Sequence, residues 1–217
     1  MEHKLTTLGE TGLRFFGKMS AANAHEIKNA LAVINENAGL LDDLVAMRER
    51  GVPFDIQRLR KLADTIKQQV ARADDIAKST NRFSHSVDTA HESADLEQSL
   101  ILVRTMSMRF ATQRHIGIDI VPHEHSITLK VHPFMLLHLL WRCLQYAMEA
   151  TDAEKTIQIT MKRSADRTTV RYGPLSHLEH STVAALSSTA AVDALLQVVN
   201  GRIEANTKTG DIVLTFV

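Results

Sequence analysis

The sequence predicts an α+β protein. A long helical hairpin at the N-terminus forms a dimeric four-helix bundle with a second copy, and an α/β sandwich follows it. Three observations carry this reading. Apolar residues between Leu8 and Arg50 recur every three or four positions, which makes a helix of about ten turns, far above the usual three or so. Gly51-Val52-Pro53 then interrupts the pattern before a second run of the same kind. Beyond Ser93, helical spacing is interleaved with short alternating stretches typical of strands. With 217 residues the chain holds one large domain or two small ones. The boundaries fall at 1–88 and 94–217.

In the first helix Leu13, Phe16, Ser20, Ala24, Ile27, Leu31, Ile34, Ala38, Leu41 and Val45 share one face. At about 100° per residue, Leu31 to Val45 in this series lie within about 40° of Ile27. His25 falls about 160° from that line and Asn29 about 160° on the other side, so the two are neighbours on the outer face. Asp55 can cap the second helix, which runs to about Ser86 with Leu59, Leu62, Ile66, Val70, Ala73, Ala77 and Thr80 on one face. Val33, Leu40 and Leu44 widen the first helix's apolar face beyond what a two-helix contact covers. A homodimer is the simplest way to supply a second hairpin.

Val87 to Ser93 reads as a linker. Asp95 to Arg114 is helical, with Leu96, Leu100, Val103, Ser107 and Phe110 on one face. Ile116 to Ile120 and Ile127 to Val131 alternate as strands. Pro133 opens a helix to about Thr151, and Thr156 to Lys162 pairs with Thr168 to Tyr172 around a polar turn. A helix from about Thr189 to Asn200 closes on Gly201, and Arg202 to Ala205 and Ile212 to Phe216 finish as strands. These elements predict a mixed sheet covered by helices on one face.

Composition excludes several classes. The net charge is zero, so the basic stripe that nucleic-acid phosphates require is missing. No apolar run reaches the ~18 residues of a membrane span, and no signal-peptide profile opens the chain; a cytoplasmic location is expected. Cys143 stands in the apolar run Leu139 to Met148 and reads as a buried small hydrophobe.

The candidate chemistry lies at His25-Glu26-Ile27-Lys28-Asn29. A lone exposed histidine on a helix is ordinarily a solvated side chain, but here a carboxylate and an amide sit within one turn of it. The stretch Ala24 to Ile34 resembles the phosphoacceptor motif of two-component sensor histidine kinases, His-Glu-hydrophobic-basic-Asn-Pro-Leu, with Ala30 in place of the proline. Arg72-Ala73-Asp74-Asp75-Ile76 through Phe83-Ser84 is similar to the second helix of the same dimerisation and phosphotransfer domain. The later elements follow the order of that family's ATP-binding domain. The resemblance implies that His25 accepts a phosphoryl group, that Glu26 holds its ring, and that Asn29 can orient a water against an aspartyl phosphate. It also implies a response-regulator receiver domain, carrying its own magnesium, as partner. Lys28, Ala32, Asn35 and Glu36, on the face below His25, would form the docking surface.

The second half departs from the family where ATP would bind. Tyr146-Ala147-Met148-Glu149-Ala150 places a phenol where the family has a metal-holding asparagine, and a phenol is a poor ligand for a hard cation. Arg171-Tyr172-Gly173-Pro174-Leu175 stands where Asp-x-Gly-x-Gly belongs, and Ser187 to Ala191 lacks the last glycines, which hinders backbone approach to phosphates. No cofactor is therefore expected in this chain, ATP included, and the expected function is histidine phosphotransfer to or from a receiver, or its dephosphorylation, through His25. Two alternatives stand beside it: a divergent kinase that phosphorylates His25 from ATP, and a scaffold that binds a regulator without chemistry. Three further groups read more plainly. His123 and His125 suit a turn better than a metal site. Ser176, His177 and His180 suit a shortened loop where the family has its lid, and Met106, Met108 and Phe110 suit packing.

Overall fold

The computed structural model describes residues 2–53, 55–88, 93–178 and 189–217. They form two compact units, Ser20–Arg82, and Met1–Met19 together with Phe83–Val217.

Ser20–Arg82 is the turn-side part of the hairpin made by α1 (Glu2–Glu49) and α2 (Ile56–His85). The break between them has the chemistry the sequence suggests. Gly51 takes φ +79, which only glycine adopts at no steric cost, and its N–H and that of Val52 satisfy the carbonyls of Arg48 and Met47. Asp55 Oδ1 then accepts from Gln57 N at 2.8 Å, capping α2. Ala22, Asn23, Ala30, Leu44 and Leu62 are buried within this unit. These α1 residues lie roughly 40–140° round the helix from Ile27, so the apolar line through Leu31 and Val45 is not the one the hairpin covers. Leu31 and Val45 are each 55% exposed, and Val70 of α2 is 52% exposed.

The second unit holds a five-stranded sheet in the order β2-β4-β5-β7-β6. Its strands are β2 (Gly117–Ile120), β4 (Thr156–Ser164), β5 (Arg167–Gly173), β6 (Gly201–Asn206) and β7 (Asp211–Phe216). The β2–β4 pair is parallel, as its connection through α4 (Pro133–Glu149) requires; all other pairs are antiparallel. Ile157, Ile159, Met161, Val170, Tyr172, Ile212, Leu214 and Phe216 alternate into one buried face. That face joins α3 (Leu96–Gln113), α4 and α5 (Ala190–Val198) in a single core.

Differences from the sequence expectation are local. The stretch Ile127 to Val131 contributes only a two-residue strand, β3 (Thr128–Leu129), which pairs with a strand the sequence did not suggest, β1 (Ala94–Asp95). Asp95 explains the join. One carboxylate oxygen caps α3 through Gln98 N at 2.8 Å and the other accepts from Ser126 Oγ at 2.6 Å. The helix expected over Thr189–Asn200 closes two residues early. Asn200 supplies the left-handed turn, at φ 50, while Gly201 starts β6; asparagine tolerates that region because its short side chain bonds locally, here to the Val217 carbonyl at 3.1 Å.

Candidate functional site around His25

His25 projects from α1 with about half of its side chain exposed, beside Glu26, which is 19% exposed. The i, i+4 spacing on one helix brings Asn29 Nδ2 to 3.1 Å from His25 Nδ1. The same amide donates to Glu26 Oε1 at 3.4 Å. From the facing helix, Arg72 Nη2 donates to Glu26 Oε2 at 2.5 Å. Glu26 Oε1 itself lies 3.8 Å from His25 Nδ1. One carboxylate is thus held from both sides, by the amide on its own helix and by the guanidinium across the hairpin.

The amide decides which ring nitrogen keeps a lone pair. With Nδ2 facing the ring, Nδ1 accepts and Nε2 carries the hydrogen. With the amide turned half a rotation, Oδ1 accepts from Nδ1–H and Nε2 becomes the open nucleophile. Only the second arrangement suits attack on phosphorus.

Less than one turn before Glu26 on α1, Asn23 Nδ2 donates to Thr80 Oγ1 at 2.9 Å, and Thr80 Oγ1 donates to the Ile76 carbonyl at 2.8 Å. Asn23 is 4% exposed, so this pair fixes the register of the hairpin next to His25. Lys28, Ala32, Asn35 and Glu36 are all exposed on α1. Sequence reasoning missed Arg72, Asn23 and Thr80 as contributors. Their signal was the turn itself: Glu26 with Arg72, and Asn23 with Thr80, stand at comparable distances on either side of Gly51.

Residues within 146–150 and 171–175 make structural contacts of their own. Tyr146 is half-buried against the core, and Glu149 accepts from Gln145 Nε2 at 3.0 Å. A side chain at Gly173 would collide with the Asp211 carboxylate, which pairs with Arg171 and accepts from Thr209; packing against Asp211 accounts for this glycine. Among the described residues no group of three or more His, Cys, Asp or Glu could hold a metal ion. His123 Nδ1 lies 2.8 Å from the His125 carbonyl, closing a turn. His177 Nε2 meets Asp152 Oδ1 at 2.9 Å, and Ser176 Oγ accepts from Asp152 N at 3.1 Å; His180 and Ser187 lie outside the described residues. Met106 is buried, whereas Met108, expected to pack, is 44% exposed. Cys143 is buried, and desolvation pushes its thiol up to about 12. No helix among the described residues is long and apolar enough to cross a membrane.

No protein-family model matches the sequence, and no curated protein matches it. Solved structures similar to it include the histidine kinase AdeS of Acinetobacter baumannii, at 13% identity over 88% of this chain and 95% of that one, with a TM-score of 0.46. A bacterial phosphotransferase is 14% identical over 94% of this chain and 95% of its own, at 0.45. The catalytic domain of histidine kinase ThkA is 14% identical over 57% and 91%, at 0.47. At such identities, with TM-scores under 0.5, no residue role passes from those proteins to this chain. The order of elements found here, a hairpin bearing the histidine and then a mixed sheet under helices, is the order that the sequence's resemblance to two-component histidine-kinase cores implies.

Proposed function

We propose that this chain is a homodimeric histidine phosphotransfer protein of two-component signalling, which exchanges a phosphoryl group between His25 and the aspartate of a receiver domain without using ATP. The observation that carries the reading is the ordered set around the exposed ring: the Asn29 amide 3.1 Å from Nδ1, and Glu26 3.8 Å from it, held across the hairpin by Arg72. In the step proposed, the Nε2 lone pair attacks the phosphorus of a receiver's aspartyl phosphate in line. The N–P bond forms as the O–P bond breaks, and the aspartate leaves as a carboxylate with the bonding pair. Nδ1 keeps its proton, and Asn29 Oδ1 with the Glu26 carboxylate beside it stabilises the positive charge that the ring gains. The magnesium belongs to the receiver, where it offsets charge on the phosphoryl oxygens. Reversal uses the same groups. Lys28, Ala32, Asn35 and Glu36, exposed on the same helix, would meet the receiver. The uncovered line through Leu31, Val45 and Val70 supports a second hairpin as neighbour.

The test mixes the whole chain with a receiver phosphorylated on aspartate, in magnesium, and follows label on both proteins. Label on His25, absent from His25→Ala, is the expected result. Acid-labile label on His25 from ATP alone would instead establish a kinase. Neither transfer nor release of phosphate would leave only a scaffold.

A further inference from the structure

Away from His25, in the sheet-bearing unit, three cations line one cavity, with no carboxylate among the described residues that line it. Arg14 and Lys18 of α1 and Arg142 of α4 line a space of about 270 Å³, together with His138 and Trp141 among others. Lys18 Nζ sits 5.0 Å from the ring centroids of both Phe110 and Trp141. Its pKa is lowered chiefly by burial; Glu149 opposes this from beyond the lining, and Arg142 and Arg114 add to it. Arg142 Nε is buried without a hydrogen-bond partner, a desolvated donor of the kind native proteins seldom leave unpaired. His138 lines the same space as a neutral ring and adds no charge.

We propose that this cavity binds a compact phosphate-bearing anion, of about pyrophosphate size, through Arg14, Lys18 and Arg142. Guanidinium forks match phosphate oxygens two at a time, and the ammonium adds a point charge. Such contacts are stronger at a partly desolvated rim than in open water. The space falls just below the ~300–1,000 Å³ of ordinary ligand pockets, which favours a small polyanion over a whole nucleotide. Arg14 and Lys18 belong to α1, outside the half that resembles an ATP-binding domain, and Arg142 of α4 lies outside the segments compared with that family's ATP-binding motifs, so the proposal rests on neither those motifs nor His25.

The test is titration of the whole chain with sodium pyrophosphate, free of magnesium and at constant ionic strength, read by calorimetry and by the melting temperature. Saturable binding is expected, weakened about tenfold or more in Arg14→Gln and in Arg142→Gln and unchanged in His25→Ala. Arg14 is exposed, so its substitution tests the site without disturbing the core. The proposal is overturned if binding does not saturate at millimolar pyrophosphate. It is equally overturned if both glutamine variants bind as the parent does, or if ATP binds more tightly than pyrophosphate and survives both substitutions.

Discussion

Acidification should destabilise the sheet-bearing unit through His138. Its side chain is 3% exposed and lies flat on Phe15, with ring centroids 4.6 Å apart and planes 4° apart. Its Nδ1 is buried without a hydrogen-bond partner. Burial first, and the nearby Arg142 guanidinium second, lower its pKa from 6.5 to about 4. In the unfolded chain the ring protonates near 6.5; in the folded one it resists until about 4. Between those values the unfolded state binds the extra proton, so this contribution is fully present above pH 6.5 and is lost as pH falls towards 4. The gap corresponds to roughly 3 kcal/mol. The chain's single tryptophan, Trp141, is 2% exposed in the same unit, so its fluorescence in urea titrations at pH 7 and pH 4.5 follows the right transition. Carboxylates also titrate in this range, but equally in His138→Leu. The parent should therefore lose about 2–3 kcal/mol more than the variant between the two pH values. Equal losses in both proteins would refute the reasoning.

Three further outcomes follow from the hairpin and the core. Arg72→Ala should slow phosphoryl exchange at His25 by about ten- to a hundredfold while costing less than about 1 kcal/mol of stability, because its partner contact is half-exposed. Arg72→Lys should recover most of the rate, since a single nitrogen makes the contact, and a parent-like rate in Arg72→Ala beside a slow Glu26→Ala would count against the role. Leu31→Asp should weaken self-association by about a hundredfold or more by placing a charge in the apolar line; sedimentation unchanged from the parent would remove that line as an interface. Cys143 should resist an aromatic disulfide reagent at pH 8 in the native protein and react at once in denaturant. Because the folded thiol titrates near 12, stability should also fall as pH rises past about 9, where the unfolded thiol ionises first. Rapid native labelling would contradict this burial.

Most of the architecture was legible because its signals are local. Gly51, Asp55, Asp95 and Pro133 punctuate the helices through backbone and capping chemistry that acts within a few residues. Alternation in Thr156–Ser164 and Asp211–Phe216 marks one buried face directly. What stayed hidden depends on partners distant in sequence. The two-residue ladder β1–β3 rests on a single bifunctional aspartate, and nothing in the run Ile127 to Val131 tells a ladder of two residues from one of five. The hairpin's covered face was misjudged because the apolar line through Leu31 and Val45 is more hydrophobic than the alanines and Asn23 that pack inside. At the site, the spacing of His25, Glu26 and Asn29 was readable from helical geometry alone. Arg72, and the cations drawn together from Arg14, Lys18 and Arg142, required the fold.

On the role proposed for His25, the hold of Arg72 on Glu26 would make the second helix a lever on the first helix's chemistry. Sliding α2 by a single residue moves it about 1.5 Å, enough to draw the guanidinium off a contact of 2.5 Å. The carboxylate would then relax away from the imidazole without His25 itself moving. A mechanical input delivered to α2 alone would thus be read out as a change in reactivity at a ring on α1.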